Sequence, residues 1–80
     1  MNIAAQKAIL RVFRQSGIEA GGSLTKTQLL LKWDGFKHDI DDLDEGIEGL
    51  IEAQELDAED ERRGPFLLTE DGYQASLSFE

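Results

Sequence analysis

HDIDDLDEGIEGLIEA, residues 38–53, is the stretch on which the fold turns. Ile40, Leu43, Ile47, Leu50 and Ile51 recur at steps of three and four, the apolar stripe of an amphipathic helix. Asp39, Asp41, Asp42, Asp44, Glu45, Glu48 and Glu52 fill the remaining surface. Carboxylates in a first turn are favoured by the helix dipole, which gives Asp39, Asp41 and Asp42 a structural reason; Asp44, Glu45, Glu48 and Glu52 lie beyond that reach. Gly46 and Gly49 each cost about 1 kcal/mol against alanine in mid-helix. Either the first or second helix crosses closely there, or the helix bends or frays at Gly46.

Upstream, residues 2–16 place Ala5, Ala8, Ile9, Val12 and Phe13 at helical spacing among good helix formers. Gly17 supplies a left-handed stop. Lys7, Arg11 and Arg14 align on one stripe of this helix, which is a solvated face or a basic patch directed at a phosphate or at the acidic helix. A glycine-rich connection, IEAGGS, leads to the single apolar residue Leu24. Thr25 to Gln28 then has the form T-x-x-Q, a capping box that starts a second helix at about Lys26. Leu29, Leu30 and Trp33 give that helix its apolar face, Trp33 as core or edge-of-core packing, and Asp34-Gly35 ends it in a turn.

Downstream of Ala53, Leu56 to Glu59 alternates apolar and polar, residues 60–65 form a polar loop ending in Gly-Pro, and Phe66 to Thr69 is a compact apolar run. The pattern predicts a short hairpin with a charged tip, with Pro65 at the edge or start of a strand because it lacks an amide donor. Thr69-Glu70-Asp71-Gly72 opens a short final helix that lays Tyr73, Ala75 and Leu77 partly on the core.

Three helices, a hairpin, a closing helix and Leu24 as a minimal third strand resemble the winged helix-turn-helix family over nearly the whole chain. The likeness is carried most by GLIEAQEL at residues 49–56, the tip at residues 57–64 and PFLLTEDGY at residues 65–73, which are similar to the end of the third helix, the wing and the closing Leu-Thr-x-x-Gly of many bacterial transcription regulators. The resemblance implies a mostly α fold with a small β-hairpin, a single winged-helix domain over residues 1–80, a supporting second helix, a recognition helix over residues 39–53, and Arg62 and Arg63 at the wing tip.

Relatives that bind DNA insert the third helix into the major groove and hold phosphates with basic and hydroxyl side chains. Seven carboxylates on that helix oppose this, since they would face a wall of phosphate. Net charge is −9, which also opposes encounter with polyanions. The charge is uneven: residues 1–38 hold six lysines and arginines against two carboxylates, and residues 39–80 hold two arginines against fifteen. Such a chain neutralises itself within the fold, pairs head to tail with a second copy, or shows faces of opposite sign to different partners.

Other chemistries find little purchase. Absence of cysteine excludes disulfides and thiolate zinc sites, and leaves a cytoplasmic location as the expectation. MNIAAQKAILRVFRQSG carries three cations and no long apolar run, so neither a signal peptide nor a membrane span is expected. His38 is the only histidine and reads as a surface residue near a helix start; Ser16, Ser23, Ser76 and Ser78 lack a nucleophile motif. The aspartates fail the register of a calcium loop, because the fifth and sixth positions from Asp39 are Leu43 and Asp44. No catalytic residue, cofactor or metal site is expected.

The expected function is that of a non-catalytic interaction module. Asp41, Asp44, Glu45, Glu48 and Glu52 would bind a basic surface on another protein or on a second copy, or present carboxylates in imitation of DNA. The alternative is a small transcription regulator that touches DNA through Arg62 and Arg63 of the wing together with Lys26, Lys32 and Lys37 around the second helix.

Overall fold

The computed structural model describes residues 2–33 and 39–79. The Asp34-Gly35 turn, Lys37 and His38 lie outside the described residues. In order, the chain forms α1 (Ile3–Gln15), β1 (Ser23–Leu24), α2 (Lys26–Lys32), α3 (Ile40–Glu52), β2 (Leu56–Asp57), β3 (Phe66–Leu68) and α4 (Glu70–Ser76), followed by a turn of 3-10 helix at Leu77–Phe79. It is a mostly helical fold with a small three-stranded antiparallel sheet, as the order of sequence patterns predicts. Leu24 does add the minimal third strand. β3 is central, pairing Ser23 with Leu67 and Leu24 with Phe66 on one side, and Leu56 with Leu68 and Asp57 with Leu67 on the other.

Local signals in the sequence explain most boundaries. The Thr25 hydroxyl accepts from the Gln28 amide while the Gln28 side chain accepts from the Thr25 amide, so the expected capping box is closed in both directions. Asn2 caps α1 by accepting from the Ala5 amide at 3.1 Å. The far end of α1 closes with Gly17 at φ 72°, whose amide bonds to the Arg14 carbonyl while the Ile18 amide reaches Phe13. The same paired closure ends α3 without a glycine: Gln54 takes φ 61°, its amide donates to Ile51, and the Glu55 amide donates to Leu50.

α1 packs chiefly on α3 and then on α4. Ile9, Leu10, Val12 and Phe13 of α1 meet Leu43, Ile47 and Leu50 of α3, and Leu29 from α2 with Leu24, Leu56, Phe66 and Leu68 from the sheet completes the core. The glycines of α3 lie where the two helices touch. A Cβ on Gly46 would stand 2.7 Å from Ile9 Cδ1 and 3.0 Å from both the carbonyl carbon and Cβ of Ala5. A Cβ on Gly49 would overlap the amide end of Gln6, which is itself buried and whose Nε2 has no hydrogen-bond partner among the described residues. Close approach of the first helix is therefore the arrangement, and α3 runs unbroken through both glycines.

Because Gly46 belongs to the buried face, that face is rotated away from Ile40. Ile40 is 60% exposed, which corrects the apolar stripe predicted to include it, whereas Ile51 is half-buried and packs against the core as that stripe predicts. On α2, Leu29 is buried, whereas Leu30 is 40% and Leu31 81% exposed. A helix of seven residues thus enters the core through one side chain, and the inclusion of Leu30 in its inward face does not hold. Trp33 packs against the edge of the core, as its sequence context predicts, and its Nε1 donates to the Asp39 carbonyl at 3.0 Å.

The closing Leu-Thr-x-x-Gly pattern has a structural explanation. The Thr69 hydroxyl accepts from the Gly72 amide at 3.1 Å, capping α4, and donates to the Gln54 carbonyl at 2.6 Å, just past the end of α3. The Thr69 amide donates to the Glu55 carbonyl, and a Cβ on Gly72 would overlap that same carbonyl oxygen.

Three alanine substitutions are expected to rank by what the new methyl meets. Gly46→Ala should cost about 1–3 kcal/mol, the range for inserting a methyl into a packed contact, because part of what it strikes is the backbone of Ala5. Gly72→Ala should cost more, since the obstruction is a carbonyl held by its own hydrogen bond. Gly49→Ala should lie within about 1 kcal/mol of wild type, because only the end of Gln6 must move and helix propensity improves by a similar amount. Urea denaturation of the three variants tests the order; Gly49→Ala proving the most damaging would refute it.

Candidate functional site

The acidic face is built by the register of α3. With Leu43, Gly46, Ile47 and Leu50 buried, a helical advance of roughly 100° per residue places Asp41, Asp44, Glu45, Glu48 and Glu52 in one arc on the opposite side. All five are exposed. Asp39 and Asp42 are spent on structure: the Asp39 carboxylate accepts from the Asp42 amide at 2.9 Å, and the Asp42 carboxylate accepts from the Asp39 amide at 3.2 Å. Asp42 also accepts from Asn2 Nδ2 at 2.9 Å, which joins the cap of α1 to that of α3.

The two groups of residues singled out in the sequence meet in space. Lys26, counted there among possible DNA contacts, forms an ion pair with Asp44, counted there among the protein-binding carboxylates. The Lys26 ammonium also lies 3.4 Å from the Arg62 carbonyl, so it spans α2, α3 and the hairpin tip. Glu48, Glu61 and Arg62 line the same cleft. By contrast, no hydrogen bond or ion pair among the described residues engages the Asp41, Glu45, Glu48 or Glu52 carboxylates. Lys32 is exposed in the last turn of α2, and Lys37 lies outside the described residues.

Lys7 and Arg11 of the α1 stripe project from the side of that helix away from α3. Ala5, Gln6 and Ile9 face α3, so helical spacing turns Lys7 and Arg11 to the other side of α1, where both are exposed. Lys26 and Asp44 are a point where opposite charges meet across the fold.

Arg62 and Arg63 stand exposed at the hairpin tip, on a turn organised by a residue that sequence patterns did not single out. One carboxylate oxygen of Asp60 accepts from the Arg62 amide at 2.8 Å and from the Arg63 amide at 3.2 Å, while the Asp60 carbonyl accepts from the Gly64 amide at 2.9 Å. These amide bonds, supplemented by the two guanidinium charges, hold the Asp60 carboxyl below the usual aspartate range. The preference of aspartate for bonding amides two and three residues on was the available signal. Glu55 moves the opposite way, its carboxyl raised by partial burial and by the charge of Asp71.

Among the described residues, no three carboxylates or histidines converge closely enough to hold a metal ion; the α3 carboxylates are spread along a helix face. No helix among the described residues is long and apolar enough to cross a membrane. No family model matches the chain, and no curated protein and no solved structure is significantly similar to it.

The lowered Asp60 pKa sets the sign of a pH effect. A carboxylate stabilised by the folded tip contributes order that is present above its unfolded pKa and is lost as pH falls through the folded value. The Arg62 and Arg63 amide resonances are therefore expected to titrate together with a midpoint below that of an unstructured aspartate. Asp60→Ala should abolish that titration. A midpoint at or above the unstructured value would contradict the tip geometry.

Proposed function

We propose that the chain is a non-catalytic, winged-helix-like interaction module whose α3 outer face binds a basic surface on a protein partner. The observation that carries this reading is the arc of Asp41, Glu45, Glu48 and Glu52, exposed and engaged by no bond among the described residues. Like charges at i and i+4 destabilise a helix by about 0.2–0.5 kcal/mol per pair. Asp41 with Glu45, Asp44 with Glu48, and Glu48 with Glu52 are three such pairs. A face that carries this cost is best explained by a use outside the fold.

A field of this kind accelerates encounter with a cationic surface and selects among partners more than it adds affinity. It repels phosphate, and Lys26 is occupied by Asp44, so the geometry favours a protein partner over DNA. The order of helices, sheet and closing helix supports the winged-helix likeness, and the likeness supplies the setting proposed here, regulation of transcription.

Glu45→Lys with Glu52→Lys separates folding from function. Glu45→Lys creates a favourable pair with Asp41, and Glu52→Lys places a cation at the C-terminal end of α3 opposite Glu48. The double variant is expected to be more stable than wild type by about 0.5–1.5 kcal/mol, yet to lose the proteins that wild type captures from cell extract. Retention of the same partners would overturn the proposal. So would saturable binding of random duplex DNA near physiological salt that is lost in Arg62→Ala with Arg63→Ala, an outcome that favours DNA contact through the hairpin tip.

A further inference from the structure

The register of the sheet creates a second surface. Leu24, Leu56, Phe66 and Leu68 are buried, so the alternate row Ser23, Leu67 and Asp57, paired side by side across β1, β3 and β2, faces away from the core. Leu67 is 39% exposed. With Ser23, Asp57, Ala58, Glu59 and Pro65 it lines an open groove. Asp57 and Glu59 are two apart in the chain and line the same groove, and no hydrogen bond or ion pair among the described residues engages either carboxylate.

The apolar side chains and the two carboxylates that line the groove make different demands on a ligand. Phosphate and carboxylate groups are repelled by Asp57 and Glu59, whereas a purely apolar group leaves the two carboxylates without a partner. A long cationic side chain meets both demands, laying its methylenes on apolar surface while the charge stays at the edge. Arginine suits a pair of carboxylates better than lysine because its guanidinium is planar, weakly hydrated and offers several donors in a fixed fork.

We propose that this groove receives an arginine side chain of a protein partner, its stem on Leu67 and Pro65 and its guanidinium between Asp57 and Glu59. The site is separate from the α3 face and does not depend on the function proposed for that face.

The test is titration of the ¹⁵N-labelled chain with the tripeptide acetyl-Ala-Arg-Ala-amide and with its citrulline counterpart, which keeps the shape and removes the charge. The arginine peptide is expected to shift the Ser23, Asp57, Ala58, Glu59 and Leu67 amides saturably, and the citrulline peptide to bind at least about tenfold more weakly, equivalent to 1.4 kcal/mol or more. Asp57→Asn with Glu59→Gln should abolish binding. Leu67→Ser, at a position turned away from the core, should weaken it several-fold while leaving the remaining spectrum in place. Equal binding of the citrulline peptide, indifference to Leu67→Ser, or shifts confined to Asp41, Glu45, Glu48 and Glu52 would each overturn the groove, and the last would do so while leaving the α3 proposal standing. Groove binding that persists in Glu45→Lys with Glu52→Lys, in a chain that has lost its captured partners, would support both surfaces separately.

Discussion

The contact of α1 with α3 is the constraint from which the rest of the structure follows. Two helices can approach this closely only where one of them presents no side chain, and α3 does so at Gly46 against Ala5 and Ile9. That approach fixes the rotation of α3 about its axis. The rotation in turn decides which residues line the core and which carboxylates face outward. The linked caps at Asn2 and Asp42 hold the same two helices together at their starts, so the crossing is pinned at its N-terminal end as well as in its middle.

Charge is distributed by that geometry rather than balanced by it. The cations Lys7 and Arg11 of α1 lie on the side of that helix away from α3, and Lys26 of α2 crosses to the acidic face. One ammonium joins α2, α3 and the hairpin tip, and thereby holds the Arg62 backbone beside Asp44 and Glu48. Exposed ion pairs contribute little to stability. The side chain of Lys26 is 20% exposed against 55% for Asp44, so the lysine is the better-shielded partner and the carboxylate remains partly open to solvent. The acidic arc is thus closed at its Asp44 edge and open along Asp41, Glu45, Glu48 and Glu52.

What the sequence disclosed was mostly what neighbouring residues decide among themselves. The Thr25–Gln28 capping box, the Gly17 stop and the periods of α1 and α3 each involve residues within a turn or two, and all are found as expected. Ile40 falls outside the core because apolar periodicity counts side chains and ignores glycine, whereas Gly46 is what faces the core. The Asp39–Asp42 box was overlooked because it uses aspartate at both positions in place of the usual hydroxyl and longer acid or amide. Lys26 and Asp44, 18 residues apart, were assigned to opposite functions, and only the packing of α2 beside α3 brings them together. The row formed by Ser23, Leu67 and Asp57 depends on strand register, which no local pattern specifies for strands two or three residues long.

Thr69 has a wider consequence than its size suggests. Its hydroxyl and amide tie the start of α4 to the carbonyls of Gln54 and Glu55, where α3 ends and the hairpin begins. Thr69 follows β3 directly and caps α4, so a hairpin that swings away from α3 must break the two bonds that Thr69 makes to the Gln54 and Glu55 carbonyls. The hairpin is thus fastened to the end of α3 at its base as well as through the few ladder bonds between its strands.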